Sequence, residues 1–283
     1  MKNARQIWEE TSKRLYKVHE KREAEAIAFI LLEDQFQIFK ADILVGQKKE
    51  INQDKLEALV QRLLVGEPLQ YVTGSTEFYG RKFFTQEGVL IPRPETEELV
   101  ALILDENHKS GHKVLDIGVG SGCIAISLAL ETKGKVYGSD ISSNALQLAK
   151  QNADHLSAEV ELIAHDILTT EIPLDDLDII VSNPPYIPNQ DKQMMHANVL
   201  DHEPEQALFV PDDKPLLFYE AVARRSKGKL REEGKLYFEV HERYGNEVQS
   251  LLEEIGYSNV CIHQDMQGKN RMISATNSTN RSL

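Results

Sequence analysis

The segment VSNPPYIP, residues 181–188, holds the side chains whose types and spacing point most directly to chemistry. Two consecutive prolines, Pro184 and Pro185, follow an apolar run; they remove backbone donors and stiffen the chain, so the carbonyls of the loop become fixed acceptors. Asn183 adds a side-chain carbonyl, and Tyr186 adds a flat aromatic face. Together they describe a pocket for a planar NH2 group. The Asn183 side chain and the Pro184 carbonyl take its two N–H bonds, and Tyr186 stacks on its plane. An amide or aniline-like nitrogen is a poor nucleophile because its lone pair is delocalised, so holding both N–H bonds lowers the barrier through orientation and electrostatics. Asn183, Pro184 and Tyr186 are the expected catalytic residues.

A nucleophile of this kind needs an electrophile beside it. Upstream, KVLDIGVGSGCIAISLAL passes from an apolar strand through Gly118, Gly120 and Gly122 into an apolar helix. In an open α/β sheet, ligands bind beyond the carboxyl ends of the strands, where glycines let the backbone approach them closely. The G-x-G-x-G spacing differs from the G-x-G-x-x-G of dinucleotide sites, and no G-K-[ST] follows to grip phosphates. Asp116 precedes the turn, Asp140 follows Gly120 by 20 residues at the end of the next strand, and Asp166 follows a third. Acidic residues at successive strand ends suit ribose hydroxyls and an adenine amino group, and they repel a pyrophosphate. The expected cofactor is S-adenosyl-L-methionine, which carries a sulfonium and no phosphate.

The elements that must position these residues are readable from periodicity. Apolar runs at Lys113–Ile117, Lys135–Ser139, Val160–Ala164, Asp178–Ser182, Lys235–Val240, Asn259–Ile262 and Arg271–Ile273 read as strands, with helices such as Ile124–Leu130 and Asn144–His155 between the first of them. That alternation predicts an α/β fold with a doubly wound, mostly parallel sheet. Residues 1–68 read as a small helical domain: Ala24, Ile27, Ala28, Ile30, Leu31 and Leu32 form one apolar group, and Leu56, Leu59, Val60, Leu63 and Leu64 recur at helical spacing. Residues 69–92, broken by glycines and a proline, read as a hairpin linker, residues 93–276 as the catalytic domain, and residues 277–283 as a polar tail, with fraying expected from Ala275 onward.

Charge and composition narrow the partners. The chain carries a net charge of −13, of which residues 81–283 hold −12. An enzyme of duplex nucleic acid gains affinity by neutralising phosphates with Lys and Arg, so so acidic a body speaks against that substrate. Cys123 and Cys261 lie far apart in no ligand-like pattern, and the nine histidines show no metal spacing, so a reducing, cytoplasmic setting without a metal is expected. No signal peptide and no membrane-spanning run is expected.

With these motifs in place, the chain resembles the HemK/PrmC protein-glutamine methyltransferases over nearly its whole length. Beyond the glycine turn and Asn-Pro-Pro-Tyr, which adenine-N6 and other amino methyltransferases share, the resemblance includes GEPLQYVTGSTEFYG (66–80), LIPRPETEELV (90–100), EPEQAL (203–208) and DMQGKNR (265–271). It implies a class I, Rossmann-like catalytic domain of seven strands whose last strand is antiparallel, and an N-terminal domain that helps recognise the partner. It also implies methylation of the glutamine in the Gly-Gly-Gln motif of peptide chain release factors, modulating translation termination. By motif position, Gly118, Val119, Gly120, Ser121 and Gly122 would bind the methionine moiety, Asp140 the ribose, and Ile167 the adenine surroundings, beside the Asp166 that the strand ends already assign to the cofactor. Asn183 would touch both cofactor and substrate, and Pro184, Pro185 and Tyr186 would hold the target glutamine. Departures are Val119 and Ser121, where many relatives carry Thr, and His202, where an aromatic is usual.

Other readings are weaker. An adenine-N6 methyltransferase uses the same motif, but the acidic body opposes it. A methionine-cofactor sensor has no need of the Asn183–Tyr186 quartet, and a dehydrogenase fails on the glycine spacing. Arg93 is expected either to orient an anionic group of the cofactor or to pair with Glu95 or Glu97. His241, Trp8 and Tyr16 read as packing residues, and Glu203 and Asp265 have no role readable from sequence.

Overall fold

The computed structural model describes residues 1–109, 111–195 and 197–278. The chain divides into two compact units, one of Met1–Ser75 with the helix Ala197–His202, the other of Thr76–Met195 and Glu203 onward.

The first unit contains the helices Ala4–Leu15, Lys21–Phe36, Lys40–Val45, Gln53–Leu64 and Leu69–Thr73. Asn3 and Asn52 start two of them by accepting backbone N–H bonds from Arg5 and Lys55, which satisfies donors that a helix start leaves open. Ala24, Ala28, Leu31 and Leu32 form the buried stripe of the longest helix and meet Ile7, Leu15, Leu56, Val60 and Leu63. Ile30, grouped with that stripe in the sequence, is instead 45% exposed, because it lies off the 24–28–31–32 spacing of one helix face. Trp8 packs against this core and donates its indole N–H to Glu25 O at 3.1 Å.

The second unit is built on a seven-stranded sheet: β1 Lys113–Ile117, β2 Lys135–Asp140, β3 Val160–Ala164, β4 Leu177–Ser182, β5 Leu230–Glu239, β6 Ser258–Gln264 and β7 Asn270–Thr276. The spatial order is β6-β7-β5-β4-β1-β2-β3. The pairs from β5 to β3 are parallel, and β7 runs antiparallel to both β5 and β6. The Rossmann-like α/β class with a reversed last strand is therefore as the sequence implied. The fraying expected from Ala275 is not found: Ala275 and Thr276 pair with Leu236 and Lys235, and Asn277 is buried with its Nδ2 donating to Leu230 O at 2.8 Å. Residues 279–283 of the expected tail lie outside the described residues.

Successive strand residues point to opposite faces, and the two faces carry separate cores. Val114, Val136, Ile179 and Tyr237 pack with helices α1 Pro94–Glu106, α2 Cys123–Thr132 and α3 Ser143–Leu156. Leu115, Tyr137, Ile180, Leu236 and Phe238 pack with α4 Leu217–Lys227 and α5 Gly245–Ile255. A hairpin of Ser75–Phe78 and Arg81–Phe84 precedes α1, and its Phe78 and Phe83 meet edge to face at 5.9 Å within the first of these cores. Among the described residues no helix is long and apolar enough to cross a membrane, and no group of His, Cys, Asp and Glu could hold a metal ion.

Candidate active site

Strand register builds the site. Ile117 of β1 pairs with Ser139 of β2 and with Ser182 of β4, and Ser182 pairs with Phe238 of β5. The residues that follow, Gly118, Asp140, Asn183 and Glu239, therefore stand side by side across four adjacent parallel strands at their carboxyl ends, where open α/β sheets bind ligands. Gly118 and Val119 donate their backbone N–H groups to Ser139 O at 2.8 and 2.9 Å, and Ser182 Oγ donates to Ile117 O at 2.7 Å.

The glycine turn needs its glycines for two different reasons. Gly118, Gly120 and Gly122 all sit at positive φ, at 79°, 53° and 84°. At Gly122 a Cβ would also lie 2.8 Å from Ile126 Cδ1 and 3.2 Å from Ala149 Cβ. Among the described residues, a Cβ at Gly118 would meet nothing within 4 Å, and one at Gly120 only Gly118 O at 4.0 Å. The turn is thus closed by packing at Gly122 and open to a ligand at the other two. Val119 and Ser121 are buried, so the turn presents mainly backbone. Asn152, fully buried, donates to Ser121 O at 2.9 Å while bonding Phe84 N and O at 2.7 and 3.1 Å, which ties the hairpin to the turn.

Three carboxylates flank the turn in different states. Asp116 is 1% exposed; its Oδ2 accepts from Ala125 N at 3.1 Å, and its Oδ1 is buried with no partner among the described residues. Burial pushes its pKa up to about 7, and the charge of Asp140 adds to the rise. Asp140 accepts from Gly120 N at 3.0 Å and Ser142 N at 2.8 Å, yet burial still raises it. Asp166 lies two residues beyond β3, and bonds from Thr169 Oγ1 at 2.6 Å and Leu168 N at 2.9 Å hold it below the usual carboxylate range. Ile167 is buried in the core on the α4 and α5 face.

Around the Asn-Pro-Pro-Tyr loop, Asn183 Nδ2 donates to Thr96 Oγ1 at 3.3 Å, and Thr96 Oγ1 donates to Glu239 Oε2 at 2.6 Å. Tyr186 OH donates to the other oxygen of Glu239 at 2.9 Å, and its ring meets His241 edge-on at 5.9 Å. Pro184 is buried; Asn183, Pro185 and Tyr186 are half-buried. Tyr186 N donates to Leu208 O at 3.3 Å, and Ile187–Pro188 pairs with Phe209–Val210, so the EPEQAL segment holds the loop. Asp265 accepts from Arg271 Nε at 3.2 Å, and the charge of Arg271 acts on both Glu239 and Tyr186.

Arg93 has a partner that the sequence reading did not foresee. It donates to Glu203 Oε1 at 2.6 Å, and Glu203, 5% exposed, also accepts from Ile91 N at 3.3 Å. A buried carboxylate facing the guanidinium wins over the half-buried glutamates of the helix start, and it takes up the charge that an anionic ligand would need. Thr96 and Glu239 are also absent from the sequence reading. Thr96 left no signal of its own; Glu239 left one, a carboxylate inside the apolar run LYFEV, since buried Glu is rare unless bonded.

Residues 95–209 match the Methyltransferase small domain family, and residues 6–74 match the PrmC N-terminal domain. The release factor glutamine methyltransferase of Bacteroides thetaiotaomicron is 42% identical over 266 residues, spanning 92% of this chain and 95% of its own. That of Lactococcus lactis subsp. lactis is 44% identical over 232 residues, 80% and 85% of the two chains. A crystal structure of a methyltransferase from Pyrococcus furiosus has the same fold, with a TM-score of 0.55 at 16% identity over 81% of this chain and 100% of its own.

Proposed function

The chain belongs to the release factor glutamine methyltransferase family, and from that premise we propose that it methylates the side-chain amide nitrogen of the Gly-Gly-Gln glutamine in peptide chain release factors, with S-adenosyl-L-methionine as donor. The observation that carries this reading is the row at the strand ends, in which Asn183 stands directly beside the first glycine of the turn.

The residues present fit a cationic, phosphate-free cofactor. Asp116 Oδ1 is a buried acceptor without a partner, and burial pushes up both Asp116 and Asp140, an arrangement that a cation relieves and an added phosphate would worsen. The open side of the turn at Gly118 and Gly120 admits a ligand close to the backbone. In this reading Gly118, Val119, Gly120, Ser121 and Gly122 line the methionine end, Asp140 accepts from the ribose hydroxyls, and Asp166 with Ile167 borders the adenine. When bound, S-adenosyl-L-methionine supplies a methyl group activated by a sulfonium.

The chain's own residues then act on the amide. Asn183 Oδ1 and the Pro184 carbonyl accept its two N–H bonds, Pro184 and Pro185 keep the loop rigid, and the Tyr186 ring holds the plane. Acceptors aimed at a nitrogen that becomes positive as it is methylated stabilise that charge where it forms. No strong base is required, because the methylated nitrogen is acidic and releases its proton late. The helical unit recognises the release factor in a cytoplasmic setting, a role that its match to the PrmC N-terminal domain supports.

The test is transfer of labelled methyl to purified release factor, with the Gly-Gly-Gln glutamine intact or replaced, beside a DNA control. Label on the intact factor alone supports the reading. Label on DNA would replace it with the adenine-N6 alternative, and label that persists after glutamine replacement would move the target elsewhere on the protein.

A further inference from the structure

Glu239 takes no part in the contacts assigned above to cofactor or substrate, yet it is the group on which the Asn-Pro-Pro-Tyr loop converges. It ends β5 at 2% exposure, inside an otherwise apolar run. One of its oxygens accepts from Thr96 Oγ1 at 2.6 Å and the other from Tyr186 OH at 2.9 Å. An ionised carboxylate only accepts, and a hydroxyl has one proton to give. Thr96 and Tyr186 must therefore both point their protons at Glu239. The oxygen of Thr96 is then an acceptor toward Asn183, which makes the amide group facing it at 3.3 Å the NH2 and leaves Oδ1 on the other side.

That direction matters because an Asn side chain is nearly symmetrical in shape. Its oxygen and its NH2 exchange places by a flip, and only partners of defined polarity choose between them. Flipped, Asn183 would present a donor to a substrate NH2 that is itself a donor.

We propose that Glu239 is a positioning residue that sets the hydrogen-bond polarity of the site, acting through Thr96 to turn the Oδ1 of Asn183 toward the substrate amide and directly on the hydroxyl of Tyr186. The inference rests on the reading of Asn183 as the substrate's acceptor. The groups that act on Glu239 come from several elements. Burial raises its pKa; the bonds from Thr96 on α1 and Tyr186 after β4 and the charge of Arg271 on β7 oppose the rise, and Glu95 adds to it. Its charge is felt in turn by Tyr219 on α4 and by the Cys123 thiol at the start of α2. A proton taken up by Glu239 turns one of its oxygens into a donor and reverses the hydroxyl that faces it, so kcat falls on the acid side as Glu239 protonates, at a pH that its burial raises.

The experiment compares wild type with Thr96→Val, Thr96→Ser, Glu239→Gln, Asn183→Ala and the Thr96→Val/Asn183→Ala pair in methyl transfer to release factor at saturating cofactor. Thermal stability and the affinity for S-adenosylhomocysteine are measured beside it. Thr96→Val and Glu239→Gln are expected to lower kcat about tenfold or more with cofactor affinity held within about twofold, since the neutral Gln amide must donate to one of the two hydroxyls and reverse it. Thr96→Ser, which keeps the hydroxyl, should recover most of the loss. In the Asn183→Ala background Thr96→Val should lower kcat by less than about twofold, because the residue through which it acts is gone. If Glu239→Gln does not fold, the Thr96 variants and the pair decide alone. A kcat within about twofold of wild type in Thr96→Val, or an undiminished effect of that change in the Asn183→Ala background, overturns the inference and leaves the function standing. Wild-type protein that transfers no methyl to the glutamine overturns both.

Discussion

Asp116 links stability to ligand binding in a way that can be worked out from its surroundings. Its carboxyl is 1% exposed with one oxygen unpartnered, and burial raises its pKa from 3.8 to about 7. Each pKa unit is worth about 1.4 kcal/mol, so the gap amounts to about 4 kcal/mol across the full titration. The sign follows from which state holds the proton more tightly. The folded carboxyl does, so its contribution to stability is greatest below the unfolded value of 3.8 and is lost as pH rises to about 7. Asp116→Asn removes the titration and leaves an unpaired NH2, with two N–H bonds, where the protonated acid would have left one unpaired O–H. Relative to wild type, the variant should therefore gain about 3 kcal/mol between about pH 5 and about pH 8, or about 6 to 10 °C in Tm for a chain of this size. Calorimetry of the ligand-free pair at several pH values reads this as a difference, in which the other carboxylates cancel. The same substitution should weaken S-adenosyl-L-methionine binding, because it removes the buried acceptor that a cation would neutralise. A Tm difference that stays flat with pH, or a variant less stable than wild type at about pH 8, would refute the account of Asp116 as an uncompensated buried charge.

Other perturbations separate the parts of the site. Asn183→Ala should reduce turnover at least about a hundredfold while cofactor affinity, read by calorimetric titration, stays within about threefold; near-normal turnover would remove Asn183 from the chemistry. Gly122→Ala combines positive φ with overlap against Ile126 and Ala149 and should cost about 2 to 4 kcal/mol in denaturant titration. Gly118→Ala carries only the backbone strain, about 1 to 2 kcal/mol, and should act chiefly on cofactor affinity; equal stability losses would contradict the division between packed and open glycines. Arg93→Ala leaves the Glu203 side chain, 2% exposed, without its cation. Because Arg93 itself is 33% exposed, the loss in thermal unfolding should be about 2 to 3 kcal/mol, below the usual range for a fully buried pair, and Glu203→Gln in the same chain should restore part of it.

The sheet was readable because buried parallel strands are continuous apolar runs. KVLDI, LDIIVS and the run at Lys235 each announce themselves by β-branched and apolar density, and their positions hold. The first half of β5 was not readable. Leu230–Gly234 is LREEG, charged and glycine-ended, and Leu230 joins the strand only because Leu177 lies beside it. Asn277 was unreadable for a related reason: a polar residue near the chain end looks solvated until the carbonyls of Leu230 and Arg231 are seen to accept from it. The same holds for Arg93, whose partner lies 110 residues away.

The site divides along the same line. Glycines at G-x-G-x-G spacing and the Asn-Pro-Pro-Tyr quartet carry their chemistry in residue type and local order, and so they stand out in the sequence. The direction of a hydrogen bond is set instead by contacts 87, 143 and 53 residues apart, those of Asn183 with Thr96, Thr96 with Glu239, and Tyr186 with Glu239. These depend on strand register. A slip of one residue between β4 and β5 would bring Phe238 or Val240 to the place beside Asn183 and turn the carboxylate to the other face of the sheet. The acidic residue in LYFEV is visible as an anomaly of composition, but whether it is a defect or a polarity-setting group is decided only when Ser182 is found opposite Phe238. A variant that shifted that register without unfolding the sheet would keep every motif intact in sequence and lose the orientation of Asn183.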